Sequence, residues 1–121
     1  MSSFAEQVNS AVAAHGQWKA RLRQAIATGT SEFDVRVVTQ DNQCAFGKWL
    51  YGEGKSTFPS AAYHEEIRGL HAEFHREAAR VLGLAVSGKA KEATVAMDPG
   101  SAFNKVSSGL VNRLTQLRRA A

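Results

Sequence analysis

The sequence predicts an all-α fold, a four-helix-bundle-like domain with one short extra helix that carries the cysteine. Apolar residues recur at intervals of three and four over several long stretches, which is typical of helices with one buried face. Capping residues precede these stretches, and glycine or proline follows them. Only one segment alternates like a strand, and it has no evident partner strand.

The first helix is predicted to follow Ser3, which can cap it, and to end at Gly29. Its inward stripe consists of Phe4, Val8, Ala11, Val12, His15, Trp18, Leu22 and Ile26. The strand-like segment comes next, from Thr30 to Gln40, and its alternating residues are Phe33, Val35 and Val37. We interpret it as an extended connector.

A short second helix is predicted after the connector, with Asp41 or Asn42 as its cap. Its inward residues are Cys44, Phe46, Trp49 and Leu50. The residues that end it are Gly52, Gly54 and Pro59. We therefore expect Cys44 to open this helix and to face the interior.

Two long helices and a shorter helical stretch complete the predicted bundle. Ser60 caps a third helix that Gly88 closes, with an inward stripe formed by Tyr63, Ile67, Leu70, His71, Phe74, Ala78, Val81, Leu82 and Ala85. A helical stretch from Lys89 to Met97 ends at Asp98-Pro99-Gly100. Ser101 then caps a final helix whose apolar residues are Phe103, Val106, Leu110, Leu114 and Leu117.

The length and composition indicate one globular domain over residues 1–121. The chain is 44% hydrophobic and 21% charged, and no apolar run approaches the ~20 residues of a membrane span. No signal peptide is evident, so we expect a cytoplasmic protein without membrane insertion. The net charge of +4 does not indicate nucleic-acid binding, because the densest basic run, Arg113 to Arg119, ends a helix, where cations are favourable.

Four residues form a candidate metal site. His71 and His75 are four residues apart on the third helix, so both project from one face toward a common point. His15 and Cys44 lie on the inward faces of the first and second helices. Thiolate and imidazole are the ligands of structural zinc sites, so the set His15, Cys44, His71 and His75 predicts one Zn²⁺.

Simpler interpretations exist for each of these residues taken alone. A buried histidine is often only hydrogen-bonded, and a buried cysteine is often a small hydrophobic residue. Together, however, the set contains three of the four histidines and the only cysteine. The remaining histidine, His64, precedes His71 by seven residues, about 10 Å along a helix, so we expect a surface or outer-sphere residue there.

Two other classes of metal-binding protein fit the sequence less well. A hemerythrin-like bundle needs bridging carboxylates, but the acidic residues of the third helix lie off its apolar stripe, at Glu65, Glu66, Glu73 and Glu77. A hydrolytic zinc enzyme of the HExxH type needs a glutamate directly after the first histidine, where this chain has Ala72. Four protein ligands would also leave no open position for water. The sequence therefore favours a non-catalytic site.

Three motifs of this sequence resemble those of the chemoreceptor zinc-binding domain, a regulatory domain attached to bacterial chemoreceptors and some diguanylate cyclases. They are His15-Gly16-Gln17-Trp18, Cys44-Ala45-Phe46-Gly47-Lys48-Trp49-Leu50-Tyr51 and His71-Ala72-Glu73-Phe74-His75. The resemblance extends from the first helix to the break at Asp98. It implies that His15, Cys44, His71 and His75 are the zinc ligands.

The resemblance also implies a cytoplasmic sensor in bacterial chemotaxis or cyclic-di-GMP control, acting on an attached or partner output domain. We expect a homodimer, because members are usually dimeric and because Phe4, Val8, Leu110, Leu114 and Leu117 offer broad apolar stripes. Cys44 is the candidate redox switch, responding to oxidants such as hypochlorous acid. Response to zinc level, or a purely structural zinc, are the alternatives.

Overall fold

The computed structural model describes residues 3–31, 33–40 and 44–120, and these ranges form helices and turns with no strand. The all-α prediction is therefore confirmed. The helices of the described ranges are α1 (Phe4–Thr28), α2 (Val35–Val38), α3 (Ala45–Tyr51), α4 (Gly54–Thr57), α5 (Ala61–Val86), α6 (Ala90–Ala96) and α7 (Ala102–Ala120). The long helices α1, α5 and α7 pack against one another, and α6 packs on α5 and α1.

The predicted ends of the long helices are confirmed. The Ser3 hydroxyl accepts a hydrogen bond from the Glu6 N–H at 3.2 Å, which satisfies a free donor in the first turn of α1. At the other end, Gly29 adopts a left-handed conformation with φ 73° that an L side chain rarely adopts. Ser60 and Ser101 cap α5 and α7 in the same way as Ser3 caps α1.

The prediction of an extended connector is wrong, because a short helix, α2, forms within it. The Asp34 carboxylate accepts a hydrogen bond from the Arg36 N–H at 2.8 Å and begins this turn. Helical spacing then puts Val38, which is 2% exposed, on the inner face. Val37 is 45% exposed, although the alternation assigned it to the same face as Val35.

Cys44 begins α3 as predicted, and it is itself the N-cap of the helix. Its Sγ accepts a hydrogen bond from the Gly47 N–H at 3.3 Å. The predicted caps, Asp41 and Asn42, lie outside the described residues. The single turn α4 that follows α3 was not predicted; it packs Gly54 so closely under Trp49 that a Cβ would lie 2.8 Å from the indole ring.

The apolar core consists of two clusters of buried residues. One is formed around Trp18, Leu22, Phe74, Leu82 and Phe103. The other is formed by Val8, Phe46, Leu50, Ile67, Leu110 and neighbouring residues. Cys44 and Leu70 pack against both clusters, so Cys44 lies where the two meet.

The apolar residues that suggested a dimer surface are buried within the chain. Val8, Leu110 and Leu114 are 0% exposed, and Leu117 is 2% exposed. They belong to one cluster because the first half of α1 packs against the second half of α7. The sequence argument that drew a dimer from these stripes is therefore wrong.

No helix in the described ranges is both long enough and apolar enough to cross a bilayer.

Candidate metal centre

Three side chains from two helices converge on one point beside the core. The Cys44 Sγ lies 3.4 Å from the His71 Nε2 and 3.3 Å from the His75 Nε2. The two Nε2 atoms are 3.1 Å apart. This arrangement follows from the sequence, because residues four apart on α5 share a face and Cys44 begins the helix that packs across it.

The spacing of these three atoms fits zinc. With Zn–N bonds of about 2.0–2.1 Å and a Zn–S bond of about 2.3 Å, tetrahedral geometry puts two nitrogens ~3.3 Å apart and sulfur ~3.6 Å from each. The observed separations of 3.1, 3.3 and 3.4 Å are close to these values. A thiolate with two imidazoles is also a donor set that suits Zn²⁺ better than a hard cation.

A hydrogen bond fixes which nitrogen of His75 faces the other two side chains. Its Nδ1–H donates to the Val38 carbonyl at 2.8 Å, since a carbonyl can only accept. The Nε2 of the neutral ring therefore presents a lone pair to Cys44 and His71. Such an outer hydrogen bond also orients the ring and makes it a better ligand. The short helix α2, which ends at Val38, is thus part of the site.

The environment of His71 keeps its ring neutral and free to bind a metal. The ring stacks on Phe46 at a centroid distance of 4.4 Å and an angle of 11°. Burial, together with the smaller effects of the nearby His75 and His15, lowers the pKa of His71 to about 3. Among the described residues, its Nδ1 is the one buried side-chain nitrogen or oxygen without a hydrogen-bond partner. The polar contacts of the ring are those of its Nε2, with Cys44 and His75.

Burial also changes the chemistry of Cys44. It raises the pKa of the thiol, and hydrogen bonds from backbone N–H groups, first that of Gly47, oppose this rise. A bound Zn²⁺ would favour the thiolate, because a coordinated thiol loses its proton. Cys44 is half-buried, unlike His71 and His75, which are each 1% exposed.

His15 lies beside the three converging side chains but does not join them. The ligand atoms of Cys44, His71 and His75 all lie within 4.8 Å of one another, and this group does not include His15. The His15 Nε2 lies 3.0 Å from the Ser107 Oγ of α7, and its ring packs on Phe74 at 4.2 Å. Burial, together with the smaller effects of the charges of Lys19 and His75, lowers its pKa to about 4.

The expectation of a surface position for His64 is wrong. The residue is 8% exposed, and its Nε2–H donates to the Leu50 carbonyl at 2.7 Å. It is buried because the end of α3 packs over the first turns of α5, which the spacing along one helix could not show. His64 is not part of the converging group, as predicted.

Acidic side chains do not contribute to the group within the described residues. Glu65, Glu66 and Glu73 are exposed, and Glu77 is 3.4 Å from Arg80 in an ion pair. The group that could hold a metal contains one cysteine and two histidines. The bridging carboxylates of a di-iron centre are therefore not found at this site.

Gln7 is a buried residue that the sequence did not single out. Its side chain joins α1 to residues 44–57, the cysteine-bearing segment, which contains Cys44, α3 and α4. Its Oε1 accepts hydrogen bonds from the Trp49 Nε1–H at 2.8 Å and from the Thr57 hydroxyl at 3.2 Å. Its Nε2 donates to the Glu53 carboxylate at 3.3 Å. One amide thus holds α3, α4 and the turn between them.

A signal for Gln7 and Ser107 was present in the sequence. Gln7 is four residues before Ala11 on the stripe of α1, and Ser107 is four residues after Phe103 on that of α7. A polar residue on an apolar stripe indicates a buried hydrogen bond, since burial without a partner is costly. The sequence could have identified both positions, although not their partners.

We predict that Gln7→Leu destabilises the protein by about 1–3 kcal/mol, because it leaves the partly buried Trp49 N–H without its acceptor. The measurement is the free energy of unfolding from urea denaturation at fixed zinc. Gln24→Leu, the same change at an exposed position of α1, is the control and should lie within about 0.5 kcal/mol of wild type. Equal effects of the two substitutions would contradict the assigned role of Gln7.

Comparison with known proteins identifies one family. The sequence profile of the chemoreceptor zinc-binding domain matches residues 15–82, more than half of the chain. The match begins at His15 and includes Cys44, His71 and His75. The comparisons matched no curated protein and no solved structure.

Members of this family occur in chemoreceptors and other signalling proteins, where they bind zinc as regulatory sensor domains. The cysteine and paired histidines converge here at distances that suit a zinc ion. By the profile match and by this site, the chain belongs to the chemoreceptor zinc-binding domain family.

Proposed function

We propose that this chain is a regulatory sensor whose single zinc ion is held by His15, Cys44, His71 and His75, and that it is not an enzyme. The observation that carries the proposal is the convergence of the only cysteine with two histidine Nε2 atoms at 3.1–3.4 Å. A site with four protein ligands leaves no open position for water or substrate, which suits regulation rather than catalysis.

The fourth ligand, His15, is supported by its position and by the family match. It is 3% exposed, and it is near enough to His71 that its charge contributes to lowering the pKa of that ring. The profile match begins at this residue. Since its Nε2 contacts Ser107, binding zinc through that atom requires His15 to leave the hydroxyl. Ser107 and the zinc ion would therefore compete for the same nitrogen of His15.

Cys44 is the proposed switch, with small oxidants such as hypochlorous acid as the stimulus. The thiolate sulfur attacks the chlorine, which gives a sulfenyl chloride and releases hydroxide. Water then displaces chloride, and a sulfenic acid remains. Sulfur loses two electrons and chlorine gains them. Because a sulfenic acid is a poor zinc ligand, the site weakens to three histidines.

Local unfolding of the cysteine-bearing segment is the proposed signal. Cys44 both caps α3 and belongs to the site, so its oxidation removes two constraints at one position. A helix of seven residues is not stable without tertiary contacts. The long helices α1, α5 and α7 would keep the apolar contacts that they make with one another, while unfolding of α3 would remove Phe46 and Leu50 from the second cluster. Segments of low local stability are the usual sites of switching.

The proposal also includes the compartment of the sensor and the protein on which it acts. We propose that residues 1–121 act as one domain in the cytoplasm, on an attached or partner chemoreceptor or diguanylate cyclase. The cytoplasm suits this role, because a reducing compartment keeps the thiol of Cys44 free to react. Response to zinc level would act on the same ligands and is the competing stimulus. A purely structural zinc is the competing role.

The ligand assignment predicts one zinc per chain by metal analysis. Cys44→Ala and His71→Ala should each weaken zinc affinity by several kcal/mol, since structural zinc contributes on the order of 10 kcal/mol to folding. His15→Ala should also lower affinity. His64→Ala is the control: it loses the bond to Leu50 and some stability but keeps its zinc. Loss of zinc from His64→Ala together with full retention in His15→Ala would show that the assignment is wrong.

The switch predicts that stoichiometric hypochlorous acid releases zinc as Cys44 is oxidised. Zinc release is followed with a chromogenic chelator, and the oxidation state is followed by mass spectrometry of the Cys44 peptide. Hydrogen exchange should speed up in α3 and α4 while the centres of α5 and α7 stay protected. Zinc that stays bound after complete oxidation of Cys44 would eliminate the redox switch and leave zinc sensing or a structural role.

The family resemblance predicts a homodimer. Light scattering at micromolar concentration should give twice the chain mass of 13.1 kDa. The residues that cover the interface must differ from Val8, Leu110 and Leu114, which are already buried. A monomer mass under these conditions would contradict the prediction.

A further inference from the structure

A cavity of about 270 Å³ lies between α1 and α2 and reaches the metal site. Exposed residues, among them Gln17 and Val37, line its outer part, and Trp18 and Phe33 contribute aromatic walls. Cys44 and His75 line its inner part. The cavity therefore connects the protein surface with the thiol of Cys44, which would react with the oxidant, and with one of the histidines beside it.

Packing restricts access to Cys44 on its core side. The thiol contacts both core clusters, and Phe46, two residues after it, is 2% exposed. His71, which also contacts the sulfur, is 1% exposed. Among the described residues, the cavity is a route by which a reagent could reach the sulfur without unfolding the bundle.

Arg21 gives the cavity a positive charge. Its guanidinium carbon lies 4.9 Å from the Trp18 ring centroid and 5.0 Å from that of Phe33, so the group is held against the aromatic walls. It donates a hydrogen bond to the Gln17 side chain at 3.2 Å. None of the ion pairs formed between described residues includes Arg21, so no carboxylate neutralises it there.

We propose that this cavity is the entry path to Cys44 and that Arg21 makes it selective for small anionic reagents over neutral ones of similar size. The proposal rests on the proposed function in taking Cys44 as the reacting group. The volume is below the ~300–1,000 Å³ of sites for drug-sized ligands, which suits molecules of a few heavy atoms. A fixed cation in a cavity with apolar walls raises the local concentration of anions.

Two alkylating reagents that differ in charge test the selectivity. Iodoacetate and iodoacetamide both transfer a carbon to the thiolate sulfur as the C–I bond breaks and iodide leaves. Their rates at Cys44 in the zinc-loaded protein are measured by mass spectrometry of the Cys44 peptide. Arg21→Gln should lower the iodoacetate-to-iodoacetamide rate ratio by about threefold or more at low salt. Any change in the thiolate fraction affects both reagents and cancels in the ratio.

Arg23→Gln is the matched control, because it removes the same charge from the same helix at an exposed position that does not line the cavity. Its rate ratio should equal that of wild type. An unchanged ratio in Arg21→Gln, or an equal fall in Arg23→Gln, would overturn the role of Arg21.

Filling the cavity tests the route itself. Ala14 lines the cavity, and Ala13 is exposed and does not. Ala14→Phe should slow alkylation by both reagents several-fold, whereas Ala13→Phe should not. Unchanged rates in a folded Ala14→Phe variant would overturn the route, and the Arg21 comparison decides the proposal if that variant does not fold. These rates are measured without an oxidant and compared between variants, whereas the redox switch is tested by zinc release on oxidation, so the two proposals can fail separately.

Discussion

The structure depends on a constraint at the metal site: the Cys44 Sγ and the Nε2 atoms of His71 and His75 lie within 3.4 Å of one another. Because the Nδ1–H of His75 donates to the Val38 carbonyl, a neutral His75 offers the other two side chains only a lone pair at Nε2. Burial disfavours the charged forms of His71 and Cys44, so without a metal the three groups are joined only through the protons of His71 and Cys44. A zinc ion would replace these hydrogen bonds with metal–ligand bonds, and the family match identifies zinc as the ion that this family binds.

The helices around the site form two groups: the long helices α1, α5 and α7, and the short helices α2, α3 and α4, of which α2 and α3 pack on them. Helices α1, α5 and α7 are joined by apolar packing in the core clusters, and α5 carries the paired histidines. The helices α2, α3 and α4 are short, and both kinds of contact, apolar and polar, hold them. Val38, Phe46 and Leu50 are buried in the core clusters. Polar contacts add to this packing: the Val38 carbonyl bonds His75, and Gln7 makes three hydrogen bonds. A change at Cys44 therefore acts on helices that are too short to be stable without tertiary contacts, which suits a local response to a chemical signal.

Much of this arrangement could be predicted from the sequence, because helical periodicity reports which residues face inward. It identified the long helices, and the four-residue spacing of His71 and His75 identified the core of the site. Periodicity does not show which other part of the chain packs against a given face of a helix. The burial of His64 by α3 and the contact of His15 with Ser107, 92 positions away, depend on tertiary packing. The helix α2 was missed because the Asp34 cap outweighs the alternation of the valines that follow.

X-ray absorption at the zinc edge of the purified protein tests the central claim most directly. The proposed site predicts one sulfur at about 2.3 Å and nitrogen ligands at about 2.0–2.1 Å, with the sulfur contribution lost in Cys44→Ala. The nitrogen shell should show the multiple scattering of imidazole rings. A zinc ion bound only by oxygen and nitrogen in the wild-type protein, or a sulfur contribution that persists in Cys44→Ala, would contradict the account.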